Sequence, residues 1–332
     1  MLNFRTDMAD ERSNLYRAVH DLNGEIDGVT TSTKDKNEKI KMNTVNITNH
    51  EGEKAIGKPI GKYVTFDLKD LRYADENEIE NTAQIIGSEL KEIIQEKVEN
   101  NGEILITGLG NQYVTPDSLG PKVVSEIEVT RHLLKYAPEC VTEGARSVCA
   151  IAPGVLGTTG IETVEIIKGV VNNIKPKLLI VIDSLASRSI HRISSTVQIS
   201  NTGITPGAGV ENKRKDISQE SLGIPVVAIG VPMVVDLATI TDECLNSFIG
   251  KLQDEAKSND ALNKLKSKSN YDDIKDALIP EDNMIVTPKD IDELIENMKN
   301  IVSKSINYAL WKSAEKRDTF RNHYSARIAI FW

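Results

Sequence analysis

The 332-residue sequence predicts an α/β fold: a mostly parallel twisted sheet with helices on both faces, plus a small strand-rich elaboration. Two observations carry that expectation. Continuous apolar runs at Ile104 to Ile106, Leu178 to Ile182 and Ile224 to Gly230 alternate with segments whose apolar residues recur every three or four positions. Strands apolar at every residue are those covered on both faces, as in parallel sheets. In addition, two of these runs lead into single carboxylates, Asp117 through a glycine-punctuated loop and Asp183 directly. In open α/β sheets the chemistry sits beyond the carboxyl ends of strands.

Each element follows from local chemistry. Asn23 to Leu68 is rich in Thr, Val, Ile, Gly and Lys, with alternating runs at Ile40 to Ile47 and Tyr63 to Leu68. It predicts the strand-rich elaboration, with Asn49-His50-Glu51-Gly52 as a turn. From Glu76 to Asn100 the period changes: Ile79, Ala83, Ile86, Leu90, Ile93, Ile94 and Val98 mark an amphipathic helix. It feeds the strand at 103–107. A helix is expected to begin at Pro121, where the missing N–H costs nothing, and to carry Val123, Val124, Ile127 and Leu134 on one side. A strand near Ser147 to Ala152, a glycine loop at 153–160, a helix from about Ile161 to Asn173 and the strand at 178–182 follow. Residues 252–282 are densely charged and read as a solvated helical hairpin or mobile excursion. Thr287-Pro288-Lys289-Asp290 then predicts a helix start, with Thr287 as N-cap. That helix would bury Ile291, Leu294, Ile295, Met298, Ile301 and Val302.

Composition narrows the function classes. A net charge of −9 and a pI near 5.3 argue against nucleic acid or an anionic membrane as a direct partner. Three cysteines, Cys140, Cys149 and Cys244, without C-x-x-C spacing fit free thiols in a reducing compartment. No apolar leader or run of membrane-spanning length is present, so a cytoplasmic protein is expected.

Several motif classes are absent. Gly108-Leu109-Gly110 invites a nucleotide-binding reading, but Tyr113 stands where the third glycine of G-x-G-x-x-G belongs, and no P-loop occurs. There is no nucleophile elbow G-x-S-x-G and no H-E-x-x-H. The five histidines, His20, His50, His132, His191 and His323, lack ligand spacing. No cysteine neighbours a base in sequence, and Lys213-Arg214-Lys215 reads as a solvated loop. The two aspartates remain. Either could be a turn or cap residue. Brought together, they would share a proton and work as acid and base toward water. The same oxygens could instead hold a divalent ion.

At these residues the sequence resembles the germination protease family of spore-forming bacteria, endopeptidases that degrade small acid-soluble spore proteins. The resemblance is carried by Gly108 to Asn111, Val114 to Pro121, Pro153 to Thr163, Ile182 to Arg188, Asn201 to Val210, Asn212 to Lys215 and Gly223 to Pro232. It extends from about residue 4 to about residue 310. It implies a fold related to the hydrogenase maturation endopeptidases, and catalytic aspartates at Asp117 and Asp183. Loops at 108–116, 153–160 and 201–210 would shape the cleft, with Gly108, Gly110, Asn111, Thr115, Gly154, Gly157 and Arg188 as its shaping residues. No resident cofactor or metal is implied by the aspartic assignment. An older view of the family is metal-dependent, which would make the same aspartates ligands, with His191 or His132 beside them. A non-catalytic module that binds spore proteins is the non-enzymatic alternative.

The resemblance further implies a homotetramer in the forespore or spore core, made as an inactive precursor. Thr6-Asp7-Met8-Ala9-Asp10-Glu11 is similar to the family's cleavage pattern, and Arg5 fits the precursor junction. Residues 1–7 are therefore expected to be a pro-sequence cut between Asp7 and Met8, leaving 8–332 as a single peptidase domain. The chain departs from the family pattern at 311–332 and matches it loosely over 252–282.

Overall fold

Four strands apolar on both faces form the parallel half of the sheet. They are β4 (Ile104–Gly108), β5 (Val148–Ile151), β6 (Leu178–Ser187) and β8 (Val226–Asp236). The computed structural model describes residues 6–20, 22, 24–69, 74–99, 102–141, 145–207, 215–255 and 284–311. Among these, β1 (Val29–Asp35), β2 (Ile40–Ile47), β3 (Gly61–Leu68) and β7 (Thr196–Ser200) continue the same sheet as an antiparallel extension. The strand order is β1-β2-β3-β7-β8-β6-β4-β5, and the short β9 (Ile285–Val286) pairs with β8. The expected α/β class is thus observed. The strand-rich segment adds to one edge of the sheet and forms no separate layer.

Helices cover both faces. On one side α3 (Glu76–Lys97), α4 (Leu119–Ser125) and α10 (Ile291–Leu310) pack on Ile104, Ile106, Leu178, Ile180, Ile182, Val227 and Ile229. On the other, α7 (Thr163–Ile174) sets Val164, Ile167 and Val171 against Leu105, Leu179 and Val181, with the short α6 (Leu156–Thr159) before it and α8 (Gln219–Leu222) adding Leu222. Alternate residues of β6 therefore serve opposite cores, which is why its sequence is apolar throughout. Near the N-terminus, α1 (Ala9–Val19) and α2 (His50–Ile56) cover a smaller cluster of Ala9, Val45, Ile47, Ile56 and Tyr63.

The long periodic elements fall where the sequence places them. The predicted faces of α3 and α10 are buried, and the Asp75 side chain caps α3 by accepting from the Glu78 N–H at 2.8 Å. Punctuation differs in four places. Asn49 to Gly52 is the start of α2, because Asn49 Oδ1 accepts from the Gly52 N–H at 2.9 Å, and the helix ends at left-handed Gly57. The single helix expected from Pro121 is two, α4 and α5 (Arg131–Tyr136), and α4 begins at Leu119. Between them the Asn307 side chain bonds the Glu126 carbonyl and the Glu128 N–H, each at 3.0 Å, replacing helical bonds. Thr287 does not cap α10: its hydroxyl donates to the Met233 carbonyl at 3.0 Å, and the helix begins at Ile291. Finally, β6 runs on to Ser187, so Asp183 lies within a strand and does not end it.

The charged segment 252–282 lies outside the described residues apart from its first four, which complete α9 (Leu237–Glu255). Of 311–332 only Trp311 is described; it is buried, and its indole donates to Glu128 at 2.7 Å. None of the described helices is long and apolar enough to cross a membrane.

The turn from β4 into α4 depends on close backbone contact. A Cβ on Gly120 would lie 2.1 Å from the Leu109 carbonyl oxygen and 2.6 Å from its nitrogen, both backbone atoms that cannot move aside alone. Gly120→Ala is expected to cost about 2–3 kcal/mol by overpacking. A urea melt with unchanged slope and a lower midpoint would show it; an unchanged midpoint would mean the loop adapts freely.

Candidate active site

The site begins where one strand outlasts its neighbour. The β4–β6 ladder ends at Gly108 opposite Ile182, and the Leu109 N–H gives a last bond to the Ile182 carbonyl at 2.8 Å. Beyond it β6 continues, still paired to β8 on its other side, with Asp183 opposite Gly230. Asp183 is therefore the first residue of β6 past the end of β4, which recovers the strand-end position expected of a functional carboxylate.

Asp117 is delivered by the loop that replaces β4. Gly110 takes a φ of 111°, and a Cβ there would fall 2.0 Å from the Asp117 carbonyl oxygen. The loop closes as the Asn111 N–H donates to Asp117 Oδ2 at 2.8 Å, while Asn111 Oδ1 accepts from the Tyr113 N–H at 3.0 Å. A short turn, Thr115–Asp117, precedes α4. Asp117 thus caps its own loop, as the simpler reading had it, while its carboxyl also faces the cleft.

Both carboxyls line one cavity of 470 Å³. Gly110 and Asn111 contribute to its wall, as do Gly157 from the second loop and Pro206 and Gly207 from the third, so all three expected loops reach it. Gly108, Thr115, Gly154, Arg188 and Met8 are not among its lining residues. Gly108 packs beneath α4, where a Cβ would meet the Gly120 carbonyl at 2.1 Å. Arg188 turns away to Asp242 at 2.9 Å and Glu243 at 3.7 Å. Lys213 and Arg214 lie outside the described residues, and Lys215 pairs with Glu165 at 3.2 Å.

Burial sets the electrostatics. Desolvation holds the Asp183 carboxyl well above the ordinary carboxylate range, and the charges of Asp117 and Asp7 push it further. Desolvation also raises Asp117, against the lowering effect of the Asn111 N–H. Asp183 accepts from the Ser184 N–H at 2.9 Å, and the Ser184 hydroxyl is buried without a hydrogen-bond partner among the described residues. Two acids whose ionisation is costly, one sensing the other's charge across one cavity, titrate as a coupled pair. Neither His132 nor His191 lines this cavity, and among the described residues no group of three or more His, Cys, Asp or Glu is placed to hold a metal ion.

The chain's own N-terminal segment lies beside the pair. The Asp7 N–H donates to the Ala186 carbonyl at 2.8 Å, and the Ala186 N–H returns a bond to Asp7 Oδ2 at 3.0 Å. Residue 7 thereby occupies the edge of β6 that β4 leaves open. Thr6 and Met8 are fully buried, and Asp7 lines the cavity. Arg12 Nε holds the Thr6 carbonyl at 2.8 Å, and Gln198 contacts the backbone of residues 7 and 9. Gln198 was not singled out in the sequence. The available signal was a lone carboxamide in the strand Thr196–Ser200, every residue of which is buried.

Comparison with known proteins agrees with the resemblance. The family model for germination protease matches residues 5–282. A germination protease of Clostridium perfringens is 46% identical over 315 residues, 93% of this chain and 96% of that one. Those of Clostridium acetobutylicum and Priestia megaterium are 42% and 39% identical, each covering 95% of this chain and 97% and 95% of their own. A solved NiFe hydrogenase maturation protease from Thermococcus kodakarensis KOD1 is 20% identical, covers 42% of this chain and 80% of its own, and has a TM-score of 0.29. At that score it adds nothing to the assignment. The chain belongs to the germination protease family and is a peptidase.

Proposed function

We propose that this chain is the endopeptidase that initiates degradation of small acid-soluble spore proteins, made as a precursor that processes itself, with Asp117 and Asp183 activating water. The observation that supports it most is the meeting of two desolvated carboxyls in one cleft, beside an open strand edge that already holds a stretch of peptide. A substrate would add to that edge as an extended strand, its backbone taken by Ala186. The ionised member of the pair removes a proton from water as it attacks the carbonyl carbon. The pair then holds that proton beside its own and delivers one to the departing amine as the C–N bond breaks. The family likeness supports the homotetramer and the spore-core location.

The decisive assay is cleavage of a purified small acid-soluble spore protein with and without a strong chelator. Cleavage unaffected by chelator is expected. Loss restored by a divalent ion would favour a reading in which the aspartates are ligands. Binding without any cleavage would leave only a non-catalytic module.

A further inference from the structure

One face of the sheet carries a row of directly opposed residues: Asp183 on β6, Gly230 on β8 and Gln198 on β7. Residues directly opposite in a ladder share a face, so the Asp183 and Gln198 side chains flank Gly230 from either side. Strands lie about 4.8 Å apart, which puts the two side chains roughly 10 Å apart at their origins. The Leu185 side chain fills the interval over Gly230, where a Cβ would lie 2.3 Å from it. Residues 6–9 run across this row, from the Ala186 backbone at Asp7 to Gln198 at Ala9.

Gln198 holds the two peptide groups that flank Met8. Its Nε2 donates to the Asp7 carbonyl oxygen at 3.2 Å, and its Oε1 accepts from the Ala9 N–H at 2.8 Å. The side chain is buried, and only this orientation of the carboxamide satisfies both contacts. The carbonyl that Nε2 holds is that of the Asp7–Met8 bond.

We propose that Gln198 is a catalytic residue of the peptidase: a clamp that sets the register of the bond to be cut and the donor that stabilises the oxyanion. This rests on the reading of Asp7–Met8 as a cleaved bond. When water adds to the Asp7 carbonyl carbon, the C=O π pair moves onto oxygen, beside the Nε2–H. The water proton passes to the carboxylate pair. As the C–N bond breaks, the pair returns a proton to the Met8 nitrogen, giving a carboxyl at Asp7 and an amine at Met8. A spore-protein segment bound in the same register would offer its own carbonyl and N–H to the same two atoms.

The test uses the full chain. Two rates are followed: appearance of a Met8 N-terminus by mass spectrometry, and turnover of a spore-protein peptide. Gln198→Met removes donor and acceptor and is expected to lower kcat about 10²–10³-fold, the loss typical of an oxyanion donor. Gln198→Glu keeps the shape and an acceptor, but donates only when protonated. Its activity is expected to recover as pH falls, displacing its pH profile toward acid from that of wild type. A structural role alone would not produce that displacement. Wild-type kcat in a folded Gln198→Met chain would overturn the proposal. If Gln198→Met fails to fold, a Gln198→Glu profile superimposable on wild type would overturn it equally. A wild-type chain that cuts neither its own terminus nor the peptide would remove the underlying reading, a result distinct from either.

Discussion

Asp117→Asn and Asp183→Asn are each expected to fold and to lose proteolysis by about 10³-fold or more, since each removes one of two groups that exchange protons with water and the leaving amine. The substitution is close to isosteric. An asparagine oxygen can still accept from the Asn111 N–H at position 117 or the Ser184 N–H at position 183, so the loops keep their closing bonds. A stability measurement separates chemistry from folding. Both folded carboxyls titrate above the unfolded value of 3.8, mainly through desolvation. The native state then binds more protons than the unfolded chain between those values, and stability falls as pH rises through that window. Wild type therefore carries a penalty at neutral pH that the neutral asparagine lacks. Asp183→Asn should melt higher than wild type at pH 7, with the gap closing toward pH 3. Wild-type turnover by either variant would remove the pair from the mechanism, and a lower melting point at neutral pH would mean that the buried carboxylate stabilises the fold.

What the sequence revealed, and what it hid, divides by the range of the interaction. The faces of α3 and α10 and the apolar cores of β4, β6 and β8 were legible because burial writes a period into the chain. Asp117 was legible for a local reason: the glycines that let a loop close also mark it. Asp183 was found while its surroundings were misread. Its place at a strand end is set by where β4 stops, at Gly108, seventy-five residues earlier, and nothing in Leu178 to Ile182 reports where a neighbour stops. The break between α4 and α5 is made by Asn307, and the fate of the Thr287 hydroxyl by Met233. Gln198 is the clearest case, for its partners are backbone atoms of residues 7 and 9, near the other end of the chain. Side chains whose work is to meet a distant backbone leave no spacing to read.

Self-cleavage between Asp7 and Met8 is the second large effect expected, appearing as a new Met8 terminus when the full chain is held at mildly acidic pH. The reason for acid lies in the pair. Water activation needs one carboxylate and one carboxylic acid at once, so the rate should fall as pH rises and the shared proton is lost. Because burial raises both groups, that proton is retained into a milder range than ordinary aspartates allow. The site also dictates the kinetic order. Thr6 and Met8 are fully buried and the Asp7 backbone is bonded to Ala186, so a second molecule can reach this bond only after the segment lifts out. Within its own chain Asp7 already lines the cavity that holds Asp183. Processing should therefore be first order, with a rate independent of protein concentration. Asp183→Asn chains mixed with active wild type should stay intact. Processing that accelerates with concentration, or cleavage of the Asp183→Asn chain in the mixture, would show that the buried segment opens and is cut by another molecule. A chain fully active with residue 1 still in place would show that the segment inhibits nothing, and that Asp7 is held at the strand edge for structural reasons.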